Sequence, residues 1–339
     1  MKTLHHIIIS RTDGIGDVIL TLPMCGILKS NFPDLKITFL GANYTKEIVA
    51  CCKHVDAFVS YDDMQQADNA GGFLKALHAD AIVHVFPRKE IAYAAKDAQI
   101  PVRIGTSHRA YHWISCSDTP NVGRKNSKLH EAQLNIMLLA PLGIETHYQP
   151  ELLPQYYGFT APHHPDLPNV STQTFNLIIH PKSNGSAREW GMHQYAKLIE
   201  QLPPEKFTIY ITGTKAELDA IALLNTAQWP HVHNVAGLMD VKSLIAFINA
   251  CNGLLACSTG PLHIAAALGI NTLGLYAPIV PVHAARWAPL GKNASYLQYK
   301  RSCNDCKNSP QACKCIRGIS VSEVASKILS WAQNQTSTV

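Results

Sequence analysis

The sequence predicts an α/β protein built as two doubly wound parallel sheets, one in each half of the chain. Three observations predict it. The 339 residues exceed what one hydrophobic core usually organises, about 250–300 residues. Short β-rich runs alternate with apolar-periodic helical stretches in both halves, the pattern of parallel strands joined by crossover helices. Between the two series, residues 150–174 are rich in Pro, His, Tyr and Thr without periodicity, and read as a linker.

Taken in order, His6-Ile7-Ile8-Ile9-Ser10 is a buried strand, followed by a Gly-containing turn and a helical pattern over 18–29. Lys36-Ile37-Thr38-Phe39-Leu40 forms a second strand, with a helix near 45–52. Ala57-Phe58-Val59, Ala81-Ile82-Val83-His84-Val85 and Pro101-Val102-Arg103-Ile104-Gly105 continue the series, with a helix near 72–77. The second half repeats the alternation. Its strands are Asn176-Leu177-Ile178-Ile179-His180, the run 207–212, Val232-His233-Asn234-Val235, Gly253-Leu254-Leu255-Ala256-Cys257 and Thr272-Leu273-Gly274-Leu275-Tyr276. The clearest helix spans 240–251, with Asp240 as its N-cap. Open sheets of this kind bind ligands beyond the carboxyl ends of their strands. Two such domains predict a cleft with both sets of ends facing it.

With 47% hydrophobic and 16% charged residues, the chain is too apolar for a disordered protein. No run of about 20 uninterrupted apolar residues spans a bilayer. The most apolar window, 264–282, is broken by Gly269, Asn271, Gly274, Pro278 and Pro281. The short Ile7-Ile8-Ile9 run, soon followed by Arg11 and Asp13, is no export signal. Residues 1–160 balance 15 basic against 15 acidic side chains, so the net +5 lies wholly in the second half. That excess is too small for a nucleic-acid stripe and suits a half that binds a small polyanion.

Three turns carry the chemistry. In Arg11-Thr12-Asp13-Gly14-Ile15-Gly16-Asp17, two glycines permit a tight turn and close approach of another molecule. Asp17 is then either a helix cap or a functional base. A dinucleotide reading would need a third glycine near Ile19 and an acid closing the second strand, and the sequence has neither. In Ser258-Thr259-Gly260-Pro261-Leu262-His263, a strand end meets a helix start that Ser258 and Thr259 can cap, with Pro261 in the first turn and Gly269 as terminator. Such a start is an anion site, and His263 can add a donor; a capped helix with a packed histidine is the plainer alternative. The loop from His180 to Trp190 offers Lys182, Ser183 and Arg188 to phosphate oxygens, unless it is an ordinary solvated turn. Glu217 either holds ribose hydroxyls or complements a helix dipole.

A looser basic cluster comprises Arg88, Lys89, Arg103, His108, Arg109, His112, Arg124, Lys125 and Lys128. Asp118 is the single acid between positions 98 and 130. It points to an anionic acceptor or to a solvated face. Six of the ten cysteines lie scattered among apolar residues as small hydrophobes. Cys303, Cys306, Cys313 and Cys315 form a C-x2-C-x6-C-x-C cluster that could hold zinc or an iron–sulfur cluster, or be a reduced thiol loop.

Jointly and in order, several motifs resemble glycosyltransferase family 9, the bacterial lipopolysaccharide heptosyltransferases. They are the turn from Gly16 to Pro23, the His180–Trp190 loop, the Ser258–His263 helix start, Tyr276-Ala277-Pro278, and Arg286-Trp287-Ala288-Pro289. The resemblance covers nearly the whole chain. It implies the glycosyltransferase-B architecture, two Rossmann-like domains facing each other across a cleft. Residues 1–160 then form an acceptor domain carrying the base, 175–318 a nucleotide-sugar domain, and 319–335 a helix able to cross back to the first domain.

The resemblance further implies metal-independent, inverting transfer of heptose from an ADP-sugar to an anionic, lipid-linked lipopolysaccharide core saccharide, without a cofactor. The chain has no Asp-x-Asp pair, which agrees. Asp17 becomes the general base. Lys182, Ser183, Arg188, Glu217, Ser258, Thr259, Gly260 and His263 become the donor site, and Gly16, Arg88, Arg103, Arg109 and Lys125 the acceptor site. Well-studied heptosyltransferases carry an acid where Ser258 stands. The implied setting is cytoplasmic, with peripheral association at the inner membrane and no nucleic-acid partner. A sugar-nucleotide epimerase on the same scaffold and a non-catalytic nucleotide- or sugar-binding protein are the alternatives.

Overall fold

The computed structural model describes residues 4–125, 127–299 and 313–336. It divides into two compact units, Met1–Thr160 and Ala161–Val339.

The first unit carries five parallel strands, β1 His6–Ser10, β2 Lys36–Gly41, β3 Ala57–Ser60, β4 Ala81–His84 and β5 Val102–Ile104, in the order β3-β2-β1-β4-β5. Ile7, Ile8 and Ile9 are all fully buried. A central parallel strand is covered on both faces, so its sequence reads as a continuous apolar run rather than an alternation. On one face Ile8, Leu40 and Ile82 pack with Leu74, Ile91 and Ala95 from the helices Ala70–Lys75 and Lys89–Asp97. The helical pattern over 18–29 resolves into two helices, Ile15–Ile19 and Leu22–Asn31, broken at Leu20-Thr21 just ahead of Pro23. Proline lacks an N–H for a continuous helix and is tolerated in a first turn.

The second unit carries β6 Phe175–His180, β7 Phe207–Ile211, β8 Val232–Asn234, β9 Gly253–Cys257, β10 Asn271–Tyr276 and β11 Ala294–Gln298, all parallel. Their order is β11-β10-β9-β6-β7-β8. Strand β11 escapes the sequence pattern because Ala294-Ser295-Tyr296-Leu297-Gln298 is an edge strand with mostly half-exposed side chains, and so lacks an apolar run. Asp240 caps the helix Val241–Ala250 as expected, accepting from Ser243 N at 2.7 Å. The helix Val321–Thr336 packs on Met192–Gln201 and adds Val324, Ile328 and Trp331 to the second unit's core. The Trp331 ring stacks on Phe175 at 6.3 Å.

The linker reading of 150–174 needs correction at its start. Pro150–Tyr156 is a 3-10 helix packed on Leu22–Asn31, and Phe159 bridges Cys52. The approach is so close that a Cβ on Gly26 would stand 2.1 Å from the Tyr156 carbonyl oxygen. These residues belong to the first unit. Their buried anchors, Leu153 and Tyr157, make a single i, i+4 pair in a segment interrupted by Pro150 and Pro154, too short to stand out as a helical pattern.

Each sheet grows outward in both directions from its first strand. The chain therefore changes winding direction between β1 and β4 in one unit and between β6 and β9 in the other. Beyond the carboxyl ends of such strand pairs, open α/β sheets form their binding crevices.

Candidate active site

In the first unit, the turn after β1 lies at that switch point, and the structure builds it around Arg11. This residue is 2% exposed, and its guanidinium donates to Asp13 at 2.6 Å, to Asp17, and to Glu131 and Asn135 at 3.0 and 3.2 Å. Burial alone would favour a neutral guanidine, but the charges of Asp13, Asp17 and Glu131 hold Arg11 firmly protonated. Arg124 approaches the same Glu131 and Asn135, at 3.0 and 2.9 Å. Glu131 and Asn135 project from one face of the helix Glu131–Met137, as a spacing of four dictates.

Asp17 is the third residue of the helix Ile15–Ile19, whose N-cap is Gly14. Its carboxylate makes no cap, so of the two sequence readings the cap is excluded. A quarter of its side chain is exposed and the rest is enclosed. Burial pushes its pKa up to about 7; the charge of Arg11 opposes this and those of Asp13 and Glu131 add to it. The tight-turn argument for the glycines is also corrected. Gly14 has an ordinary φ of −65°, and what it supplies is room, since a Cβ there would stand 3.0 Å from Asp17 Oδ2. Gly16 lies within the short helix, its carbonyl accepting from Leu20 N.

The basic cluster disperses. Arg88 joins the switch point, donating to Thr12 Oγ1 at 2.6 Å from the turn after β4 and stacking on Tyr61 and Phe86. Arg103 turns away from any acceptor: its guanidinium donates to the carbonyls of Ser115, Ile100 and Pro101 and fastens a loop. Arg124 serves the Glu131 network. Arg109 and Lys125 are exposed.

In the second unit, the loops after β6 and β9 meet at the other switch point, where Ser186 Oγ lies 3.4 Å from the Ser258 carbonyl. The helix Gly260–Leu268 begins there. Thr259 occupies its N-cap position with Pro261 in the first turn, and Gly269 ends the helix in the left-handed region at φ 79°. The Thr259 hydroxyl makes no cap bond, although the residue is only 5% exposed. It is one of the buried polar atoms with no hydrogen-bond partner among the described residues, where such atoms are ordinarily paired. His263 is buried one turn on, its N–H 3.4 Å from the Thr259 carbonyl.

Glu189, which the sequence reading left without a role, organises the loop after β6. One carboxylate oxygen accepts from Lys182 Nζ at 2.5 Å; the other accepts from Ser183 N and Oγ at 3.1 and 3.0 Å. Arg188 is half-buried beside it. Asn184 and Gly185 turn the loop with φ of 46° and 80°. Glu217 takes its plainer role, accepting from Thr214 N and Oγ1 at 2.8 and 2.9 Å in a capping box. His180, beneath the loop, lies 2.9 Å from Thr212 Oγ1, and burial lowers its pKa to about 4, partly offset by Glu217. Of the cysteine cluster, Cys313 and Cys315 are buried in the second unit's core; Cys303 and Cys306 lie outside the described residues.

Solved structures share this fold. A family 9 glycosyl transferase from Veillonella parvula superposes with a TM-score of 0.77 at 17% identity, covering 97% of each chain. Escherichia coli ADP-heptose LPS heptosyltransferase II gives 0.73 at 17% identity over 98% of this chain and all of that one. Lipopolysaccharide heptosyltransferase 3 of Escherichia coli is 22% identical over 292 residues, 82% of this chain and 84% of its own. The fold is therefore that of the two-domain glycosyltransferases of the B architecture. Residues 79–317 match the family model of glycosyltransferase family 9 (heptosyltransferase). The chain belongs to that family and is a glycosyltransferase.

Proposed function

We propose that this enzyme transfers heptose, with inversion and without a metal, from an ADP-heptose donor to an anionic saccharide of the lipopolysaccharide inner core. The observation that carries the reading is the Asp17 carboxylate, raised to about 7, held by Arg11 and still a quarter open to solvent. A general base works best when its pKa lies near the operating pH. The names of relatives supply the substrates: one heptosyltransferase is named for ADP-heptose and another for lipopolysaccharide.

In this mechanism Asp17 takes the proton of the acceptor hydroxyl as that oxygen bonds to the anomeric carbon of the donor. The bond from that carbon to the diphosphate breaks on the opposite side, and a single displacement inverts the centre. The leaving diphosphate is met by the free N–H groups and dipole of the helix Gly260–Leu268, by the Thr259 hydroxyl and by His263. Lys182 supplies a cation after exchanging Glu189 for phosphate oxygen. Ser183, Arg188, Ser258 and Gly260 complete the donor site, while Glu217 keeps its capping box with Thr214 and shapes the loop beside it. Gly16 and Arg88 receive the acceptor's saccharide, and Arg109 and Lys125 face its anionic lipid end. The acceptor is lipid-linked, so the enzyme works at the cytoplasmic face of a membrane.

Asp17→Asn is the test. With ADP-heptose and a core-saccharide acceptor, turnover is expected to fall by 10² to 10⁴-fold, the usual worth of a positioned base. Calorimetric affinity for ADP should stay within twofold. An active Asp17→Asn enzyme would remove Asp17 from this role.

A further inference from the structure

Among the described residues, two of the large exposed apolar side chains are neighbours in the chain. On the short helix His112–Ser115, Trp113 and Ile114 are adjacent and 72% and 62% exposed. Isolated apolar residues on a surface need no explanation, whereas a paired apolar tip does. The Trp113 ring N–H donates to the Ser107 carbonyl at 2.8 Å. Its one polar group is thus satisfied within the protein, and what it presents outward is hydrocarbon.

Cations flank the tip. Arg109 precedes it by one turn and is exposed. The neighbouring segment is tied on through His108, whose Nε2 lies 2.8 Å from Asn121 Oδ1 and whose ring fills the space a Cβ on Gly123 would take. That segment brings exposed Lys125 and Lys128, and Leu129 at 38% exposure. His108, Lys125 and Leu129 line a common cavity of about 460 Å³, whose apolar walls include Val122, Leu134 and Met137. Of the acids nearby, Asp118 accepts from Ser117 Oγ at 2.7 Å, and Glu90 lies on the helix packed against His112–Ser115, where its charge reaches Tyr111. An apolar tip with its polar atom paired, with Arg109 one turn before it and exposed lysines on the adjoining segment, is complementary to a surface that is anionic at its headgroups and hydrocarbon beneath.

We propose that residues 106–125, with 127–129, dock the first unit onto an anionic lipid bilayer. Trp113 and Ile114 enter the headgroup–acyl boundary, and Arg109 and Lys125 pair with lipid phosphates. This rests on the reading of the acceptor as lipid-linked and names the surface that meets the lipid. Each juxtamembrane cation is worth about 1 kcal/mol near such a surface, so neutralising two weakens binding about 30-fold.

The test is co-sedimentation of the full chain with vesicles of phosphatidylethanolamine and phosphatidylglycerol, against phosphatidylcholine alone, at low and high salt. Wild type is expected to bind the anionic vesicles at low salt, with fluorescence of Trp113 shifting to the blue relative to Trp113→Phe. Trp113→Ser with Ile114→Ser should abolish binding while leaving circular dichroism and turnover on a deacylated, water-soluble acceptor unchanged. Arg109→Gln with Lys125→Gln should weaken binding about 30-fold. Wild type that ignores anionic vesicles at low salt overturns the proposal, as does undiminished binding by the Trp113/Ile114 variant. So does a wild-type dimer that this variant dissociates without any vesicle binding, since the patch would then meet a second copy. Turnover on the soluble acceptor reads the transferase proposal separately: an enzyme inactive there that still binds vesicles refutes that reading and leaves the docking surface standing.

Discussion

Replacing Arg11 by Gln isolates the electrostatics on which the base depends. Arg11 contacts Asp17 directly and is the group that lowers its pKa; burial, Asp13 and Glu131 all raise it. Two unit charges about 4 Å apart in an effective dielectric of about 20 attract by about 4 kcal/mol. With a quarter of Asp17 in solvent, roughly half of that, about 2 kcal/mol, is a fair share, or about 1.5 pK units at 1.36 kcal/mol each. The sign follows from the charge. Without Arg11 the neutral carboxyl is favoured, so the Asp17 pKa rises from about 7 toward roughly 8.5. The acid limb of kcat/KM against pH should move up by the same amount. At pH 7 the ionised fraction then falls from about one half to about 3%, and the rate more than tenfold. Glutamine retains a donor for Glu131, but the carboxylates lose a full charge, and breaking such a buried network costs about 3–5 kcal/mol. The assay therefore runs well below the variant's melting temperature. A folded Arg11→Gln enzyme with its acid limb unmoved would refute the account of Asp17 as a tuned base.

Three other variants probe the two switch points. Thr259→Val removes a buried hydroxyl without a described partner; thermal stability should hold or rise, because the unsatisfied group carried a penalty of about 1–3 kcal/mol. Its Kd for ADP should weaken roughly 5- to 10-fold, and calorimetry showing unchanged affinity would detach Thr259 from the donor. Gly14→Ala suits the backbone at φ −65° but puts a Cβ 3.0 Å from Asp17 Oδ2, so kcat should drop while the melting temperature barely moves; steady-state kinetics with calorimetry decides. His84 is fully buried, neither ring nitrogen has a partner among the described residues, and burial lowers its pKa to about 3. The unfolded chain takes up its proton below about 6.5, so stability is lost as pH falls from there toward 3. His84→Phe should flatten that acid loss in urea titrations across the range, and an unchanged slope would count against it.

The anion-binding helix start was legible because its parts are local. A strand end, a capping Thr259, Pro261 in the first turn and Gly269 as terminator are consecutive in sequence, and each acts through its own backbone. The strands around Ile8 and Ile178 were legible for a related reason: burial on both faces writes an unbroken apolar run. Strand β11 was not, since an edge strand has only part of one face to bury. The linker's first residues escape the pattern because Leu153 and Tyr157 are one isolated i, i+4 pair in a segment interrupted by Pro150 and Pro154.

By itself the sequence determined two doubly wound halves, the polar turns that end their strands, and a carboxylate at position 17 in the first turn of a helix. It could not reveal what that carboxylate touches. Arg11 and Glu131 are 120 residues apart, and only the fold brings them together, around a guanidinium with one charge for three carboxylates. The same holds for Arg103 and Arg124, which the sequence gathers into one basic cluster and the structure sends to separate partners. Local backbone chemistry is written in adjacent residues. A pKa is set by distance and burial, and those exist only once the chain has closed on itself.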